Sequence, residues 1–61
     1  MKIQKIRLTS GKVIIIDHIE DKIGQNGEKF TMAYKKYSNN IKCYKVVDHD
    51  YYGAIFAEIK N

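Results

Sequence analysis

The residues best suited to chemistry are few, and they do not form a catalytic pattern. Cys43 is the only cysteine, and His18 and His49 are the two histidines. A lone cysteine in an apolar segment is usually a small buried hydrophobic residue rather than a nucleophile. The chain has no nucleophile elbow, phosphate-binding glycine loop or cofactor fingerprint. We therefore expect no catalytic residues and no cofactor, and a small metal-dependent enzyme is the remaining catalytic alternative.

Both histidines have carboxylates beside them, in residues 17–21 and 48–50. Adjacent side chains of a strand point to opposite faces, so Asp17 and His18 are poorly placed to bind the same ion. The segment Asp48-His49-Asp50 is typical of a polar turn, where aspartate bonds to nearby backbone. We predict no metal site.

A basic and aromatic set of residues suggests a different chemistry. Residues 1–16 carry four cations and no acid, and residues 29–47 carry five cations and no acid. Proteins that bind single-stranded nucleic acid combine aromatic rings that stack on bases with cations that follow the phosphates. The candidates for RNA or single-stranded DNA binding are Lys5, Arg7, Lys35, Tyr37 and Lys45.

The elements that would position these residues are predicted from turn signals. Asn26-Gly27 is the strongest, because both residue types tolerate the positive φ of a type I′ turn with a two-residue loop. This turn predicts that Ile23 lies opposite Phe30 and Ile19 opposite Tyr34.

A second turn at Ser10-Gly11, treated in the same way, places Leu8 opposite Val13 and Ile6 opposite Ile15. Cross-strand partners share a face of the sheet. Both hairpins then predict one core, formed by Ile6, Leu8, Val13, Ile15, Ile19, Ile23, Phe30, Met32 and Tyr34.

The fold class follows from the spacing of the turns, which separate segments of seven to twelve residues that are rich in β-branched and aromatic residues. We predict a predominantly β protein, a small antiparallel meander forming an SH3-like or OB-like partly open barrel of about five strands. Residues 51–60 also fit a short helix, with Asp50 as its N-cap. The alternative is a four-stranded sheet with a C-terminal helix.

The run from Val13 to Ile16 is apolar on both faces, although a half-buried strand should alternate. Ile14 and Ile16 fall opposite the predicted core, so either an internal element or a partner must cover them. We predict a partner-binding surface formed by Ile14, Ile16, His18, Lys5, Arg7, Lys35 and Tyr37.

We expect the 61 residues to form one small domain, residues 1–61, without a linker or targeting segment. Ten Lys, ten Ile, four Asn and five Tyr supply 29 residues, a bias that AT-rich coding would produce, so the net charge of +4 is weak evidence for nucleic-acid binding. Our leading hypothesis is a cytoplasmic, non-enzymatic protein-binding module, a modulator or inhibitor of a host or phage protein, carried by a phage or other mobile element of an AT-rich bacterium. A homodimer is an alternative way of covering Ile14 and Ile16, and no membrane segment is expected.

Overall fold

The computed structural model describes residues 3–60, which form six β-strands and no helix. The strands are β1 (Gln4–Leu8), β2 (Val13–Ile16), β3 (His18–Ile23), β4 (Lys29–Lys36), β5 (Ile41–Asp50) and β6 (Gly53–Glu58). The predominantly β prediction is confirmed, and the helical alternative for residues 51–60 is wrong because β6 occupies most of that segment. Residues 3–60 therefore contain no helix that could span a membrane.

The strands form one mixed sheet in the order β2-β1-β6-β5-β4-β3, and the sheet is not closed into a barrel. All neighbouring strands are antiparallel except β1 and β6, which are parallel. Although β2 and β3 lie at opposite edges of the sheet, only Asp17 separates them in the chain. The backbone N–H of Asp17 donates to the carbonyl of Tyr34 at 3.0 Å, so the chain turns from one edge to the other beside β4.

The hairpin between β1 and β2 has a three-residue loop, not the predicted two-residue loop. The N–H of Leu8 donates to the carbonyl of Lys12 at 2.8 Å, and this bond closes the loop. Gly11, the third loop residue, has a φ of 89°, the left-handed conformation that such loops require. Ile6 consequently pairs with Ile14, one residue away from the partner predicted for it.

The hairpin between β3 and β4 departs from the prediction in the same way. The N–H of Gly24 donates to the carbonyl of Glu28 at 2.7 Å, and Gly27 is the third loop residue with a φ of 83°. Only glycines have positive φ among residues 3–60, which excludes the type I′ turn. Ile19 therefore lies opposite Ala33, again one residue from its predicted partner.

A shift of one residue moves a strand's side chains to the other face of the sheet. Ile16 is 5% exposed in the core, whereas Ile15 is 51% exposed. Val13, Ile15 and Ile23 were predicted as core residues and are exposed. Phe30, Met32 and Tyr34 alternate with the fully buried Ala33 and so point to the opposite face of the sheet. Met32 is nevertheless buried, as predicted, and Phe30 and Tyr34 are half-buried.

The core between the curled halves of the sheet is small. Its buried residues are Ile6, Ile16, Ala33, Tyr44 and Phe56, and the partly buried residues packed on them are Leu8, Ile14, Ile19, Val46 and Ala54. Burial raises the pKa of Tyr44 to about 12, and a hydrogen bond with Tyr37 adds to this effect. The single thiol, Cys43, is half-buried.

Candidate functional site

The outer face of β1 and β2 carries exposed apolar residues next to cations. Lys5 pairs with Ile15, and Arg7 pairs with Val13, so these four side chains share one face. Val13 is 57% exposed and Ile15 is 51% exposed. We call these four residues the β1–β2 outer face.

The tip of the β5–β6 hairpin lies beside this face. Tyr51 and Tyr52 are 93% and 83% exposed, and their rings make an edge-to-face contact at 5.3 Å. The guanidinium carbon of Arg7 lies 5.9 Å from the centre of the Tyr52 ring. Two exposed tyrosines and an arginine are therefore grouped together.

Asp50 holds this group in place. Its Oδ1 accepts a hydrogen bond from the guanidinium of Arg7 and another from the backbone N–H of Tyr52 at 2.9 Å. The bond from Arg7 is the main reason that the pKa of Asp50 lies below its ordinary value. Gly53, which follows the two tyrosines, has a φ of 124° that favours glycine.

A cavity of about 480 Å³ adjoins the same residues. Its apolar part comes from the edge and core of the sheet, and its lining residues are Lys5, Ile6, Arg7, Val13, Ile19, Tyr52, Ala54 and Phe56. Two of these eight residues are cations and none is an acid. An apolar cavity with a few polar groups is suited to receiving a side chain of a binding partner.

The prediction that Ile14 and Ile16 lie on an exposed surface is wrong. Ile16 is buried in the core, and Ile14 is half-buried against it. The second apolar face of β2 is therefore covered internally. The exposed apolar residues of this strand are its neighbours in sequence, Val13 and Ile15.

The remaining predicted residues do not form one site. Lys5 and Arg7 belong to the β1–β2 outer face. Lys35 and Tyr37 lie together, because the Nζ of Lys35 is 5.5 Å from the Tyr37 ring; the Nζ of Lys42, which sequence reasoning did not select, is 5.3 Å from the same ring.

Lys45 and His18 contact other residues than those two groups do. The Nζ of Lys45 lies 4.8 Å from the centre of the Phe30 ring. His18 stacks on Tyr34 with 5.9 Å between ring centres, and its Nε2 lies 3.6 Å from Glu20. A hydrogen bond from Tyr34 is the main cause that lowers the pKa of Glu20.

Lys35 links its group to β2. Its Nζ donates to the backbone carbonyl of Ile15 at 2.8 Å. This carbonyl belongs to the same residue whose side chain is half-exposed beside Lys5, so Lys35 reaches the edge of the β1–β2 outer face.

Sequence reasoning missed Val13, Ile15, Tyr51 and Tyr52 as surface residues. The segment Asp48-His49-Asp50, predicted as a polar turn, is instead the end of β5, and the turn falls on Tyr51 and Tyr52. Within residues 3–60, no group of three His, Cys, Asp or Glu side chains is placed to hold a metal ion.

Comparison with known proteins yields no match to a family model, to a curated protein or to a solved structure.

Proposed function

We propose that this protein is a non-enzymatic protein-binding module, and that the β1–β2 outer face with Tyr51 and Tyr52 is its binding surface. The observation that carries this proposal is the exposure of Val13, Ile15 and both tyrosines in one region that also contains Lys5 and Arg7. Grouped exposed apolar residues rimmed by polar ones are typical of interaction sites.

The residue types support this function on energetic grounds. Tyrosine and arginine are over-represented among the residues that contribute most to protein–protein binding. Removing apolar surface from water contributes roughly 25 cal/mol per Å², and Val13 and Ile15 are both more than half exposed. Arg7 is already held by Asp50 and Tyr52, so it loses little side-chain freedom when a partner binds.

We further propose that the module modulates or inhibits a host or phage protein in the cytoplasm, and that it is carried by a mobile element of an AT-rich bacterium. The AT-biased composition and the single half-buried thiol support this setting. The positive net charge makes a mimic of DNA a poor alternative, because such a mimic needs a densely acidic surface.

Affinity capture from a lysate of the source organism tests the proposal. The wild-type protein is compared with Ile15→Lys and with the control Ile23→Lys, which changes an exposed isoleucine on β3. We expect the wild type and the control to capture a protein that Ile15→Lys does not capture, with all three baits folded. Recovery of nucleic acid alone, or of the same proteins with all three baits, contradicts the proposal.

Single-stranded nucleic-acid binding is the second candidate, favoured by the two lysines whose ammonium groups lie within 5.5 Å of the Tyr37 ring centre. Phosphates could bind these cations while a base stacks on the half-exposed ring. Affinity for an oligonucleotide should then fall steeply with salt and depend on Tyr37. Equal affinity of the wild type and Tyr37→Ala for such an oligonucleotide contradicts this candidate.

A further inference from the structure

The two edge strands of the sheet, β2 and β3, differ in charge. Within β3, the residues from His18 to Ile23 include Glu20, Asp21 and Lys22, and charged residues on an edge strand discourage pairing with another chain. Within β2, Val13–Ile16 contains no charged residue. The edge of β2 is therefore the more suitable of the two for an added strand.

The hydrogen-bond pattern shows which backbone groups of β2 are free to pair. The bond from Leu8 to Lys12 marks these residues as a hydrogen-bonded pair. Such pairs alternate along an antiparallel ladder, so the N–H and C=O groups of Val13 and Ile15 point away from β1. Among residues 3–60 no strand pairs with β2 on that side, and β4 approaches it at the end of the strand, where the N–H of Asp17 donates to the carbonyl of Tyr34.

One of these outward groups is already occupied by a cation. The carbonyl of Ile15 accepts a hydrogen bond from the Nζ of Lys35. A strand that pairs with Ile15 must displace this ammonium group, which then needs a new anionic or polar partner. A carboxylate on the incoming strand would supply one.

We propose that the edge of β2 binds an extended acidic segment of a partner protein, which adds as a strand and pairs with the backbone of Val13 and Ile15. This inference rests on the proposed function and specifies its binding mode. The charge around the edge determines the chemistry of the partner: Lys12 precedes β2, Lys5 lies opposite Ile15, and Lys35 reaches its carbonyl. The acid that follows β2, Asp17, accepts the backbone N–H of Lys36. Acidic residues alternating with apolar ones would meet these cations and the exposed side chains together.

A second copy of this chain is a poorer occupant. Pairing β2 with β2 of another copy joins two edges that each carry Lys12 beside the strand and Lys35 at the carbonyl of Ile15. Val13–Ile16 offers no carboxylate to either displaced ammonium group. The same lysines that attract an acidic strand therefore oppose self-association.

The test is a nitrogen-15 NMR titration of the whole protein with the synthetic peptide acetyl-Glu-Val-Glu-Val-Glu-amide. We expect saturable shifts and slower hydrogen exchange at the amides of Val13 and Ile15, with weakening as salt is raised. The peptide acetyl-Lys-Val-Lys-Val-Lys-amide should cause neither. The absence of saturable shifts at both amides, or equal binding of the two peptides, overturns the proposal.

Two proline variants separate strand addition from side-chain binding. Val13→Pro removes an outward N–H that makes no bond to β1, and an edge strand tolerates proline at such a position. Ile23→Pro is the matched control, because Ile23 has the same outward position in β3. We expect Val13→Pro to weaken peptide binding about tenfold, the cost of one or two lost backbone hydrogen bonds, and Ile23→Pro to leave it unchanged.

Two results would overturn strand addition and leave the proposed function standing. The first is a captured partner that Ile15→Lys no longer binds but that folded Val13→Pro binds as tightly as the wild type. This result would assign binding to side chains alone. The second is a concentration-dependent dimer in sedimentation, with Val13 and Ile15 protected before any peptide is added, which assigns the edge to a second copy. If no variant affects capture at all, the proposed function itself fails.

Discussion

Arg7 in β1 and Asp50 at the end of β5 form an ion pair across 43 residues of sequence. The same oxygen of Asp50 accepts the N–H of Tyr52, so one carboxylate fixes both the arginine and the hairpin tip. Because Arg7 lowers the pKa of Asp50, the folded protein holds the ionised form more tightly than the unfolded chain does.

The first prediction concerns the stability of the fold at low pH. A carboxyl group with a lowered pKa stabilises the fold fully above its unfolded pKa of about 4, and this stability is lost as the pH falls through the folded value. Asp50→Asn keeps an oxygen for the N–H of Tyr52 but removes the charge. We expect its melting temperature to lie below that of the wild type at pH 6, and the two to converge toward pH 2. A difference that does not change with pH contradicts the ion pair.

The second prediction tests the strand register with two neighbouring residues. Ile16→Ala should destabilise the protein by about 2–5 kcal/mol, the usual cost of truncating a core residue. Ile15→Ala should cost less than about 1 kcal/mol because half of that side chain is exposed. Urea unfolding of both variants provides the measurement, and a larger cost at Ile15 than at Ile16 contradicts the observed register.

The hairpins show why the sequence predicted where the strands lie but not which face of the sheet each side chain occupies. Glycines at positions 11 and 27 mark both turns correctly, yet a glycine there fits a two-residue loop or the third position of a three-residue loop equally well. Both hairpins use the longer loop, so both predicted registers are wrong by one residue in the same direction. Agreement between the two hairpins could not reveal an error that they share.

The run Val13–Ile16 could not correct the register, because it is apolar at every position and fits either face equally well. In β4 the adjacent residues Met32 and Ala33 are both buried, so alternation gives no guide there either. The cationic residues Lys5 and Arg7 were correctly expected on an outer face, because Ile6 between them is an unambiguous core residue.

The third prediction distinguishes the two loop types directly. A type I′ turn would need positive φ at both Asn26 and Gly27, whereas the structure has it only at Gly27. Gly27→Ala should cost about 1–2 kcal/mol, the penalty for a side chain in left-handed backbone. Asn26→Ala should change stability by no more than about 0.5 kcal/mol. Similar costs for both variants in urea unfolding would restore the type I′ turn.

The fourth prediction concerns the stability of the fold at high pH. Burial raises the pKa of Tyr44 to about 12, so between about pH 10 and 12 the unfolded chain ionises this tyrosine and the folded protein does not. Stability should therefore fall as the pH rises through that range. Tyr44→Phe should reduce the slope of stability against pH, whereas the exposed Tyr51→Phe should leave it unchanged. Equal slopes for wild type and Tyr44→Phe contradict the buried position of this hydroxyl.

The β1–β2 outer face is tested most directly by the dissociation constant of the captured partner. Calorimetry with the wild type, Ile15→Lys and the control Ile23→Lys should show at least about a thirtyfold loss of affinity for Ile15→Lys only, as expected for a residue central to an interface. Unfolding curves on the same samples must show that all three proteins are folded. A folded Ile15→Lys protein that binds the partner as tightly as the wild type contradicts the proposed surface.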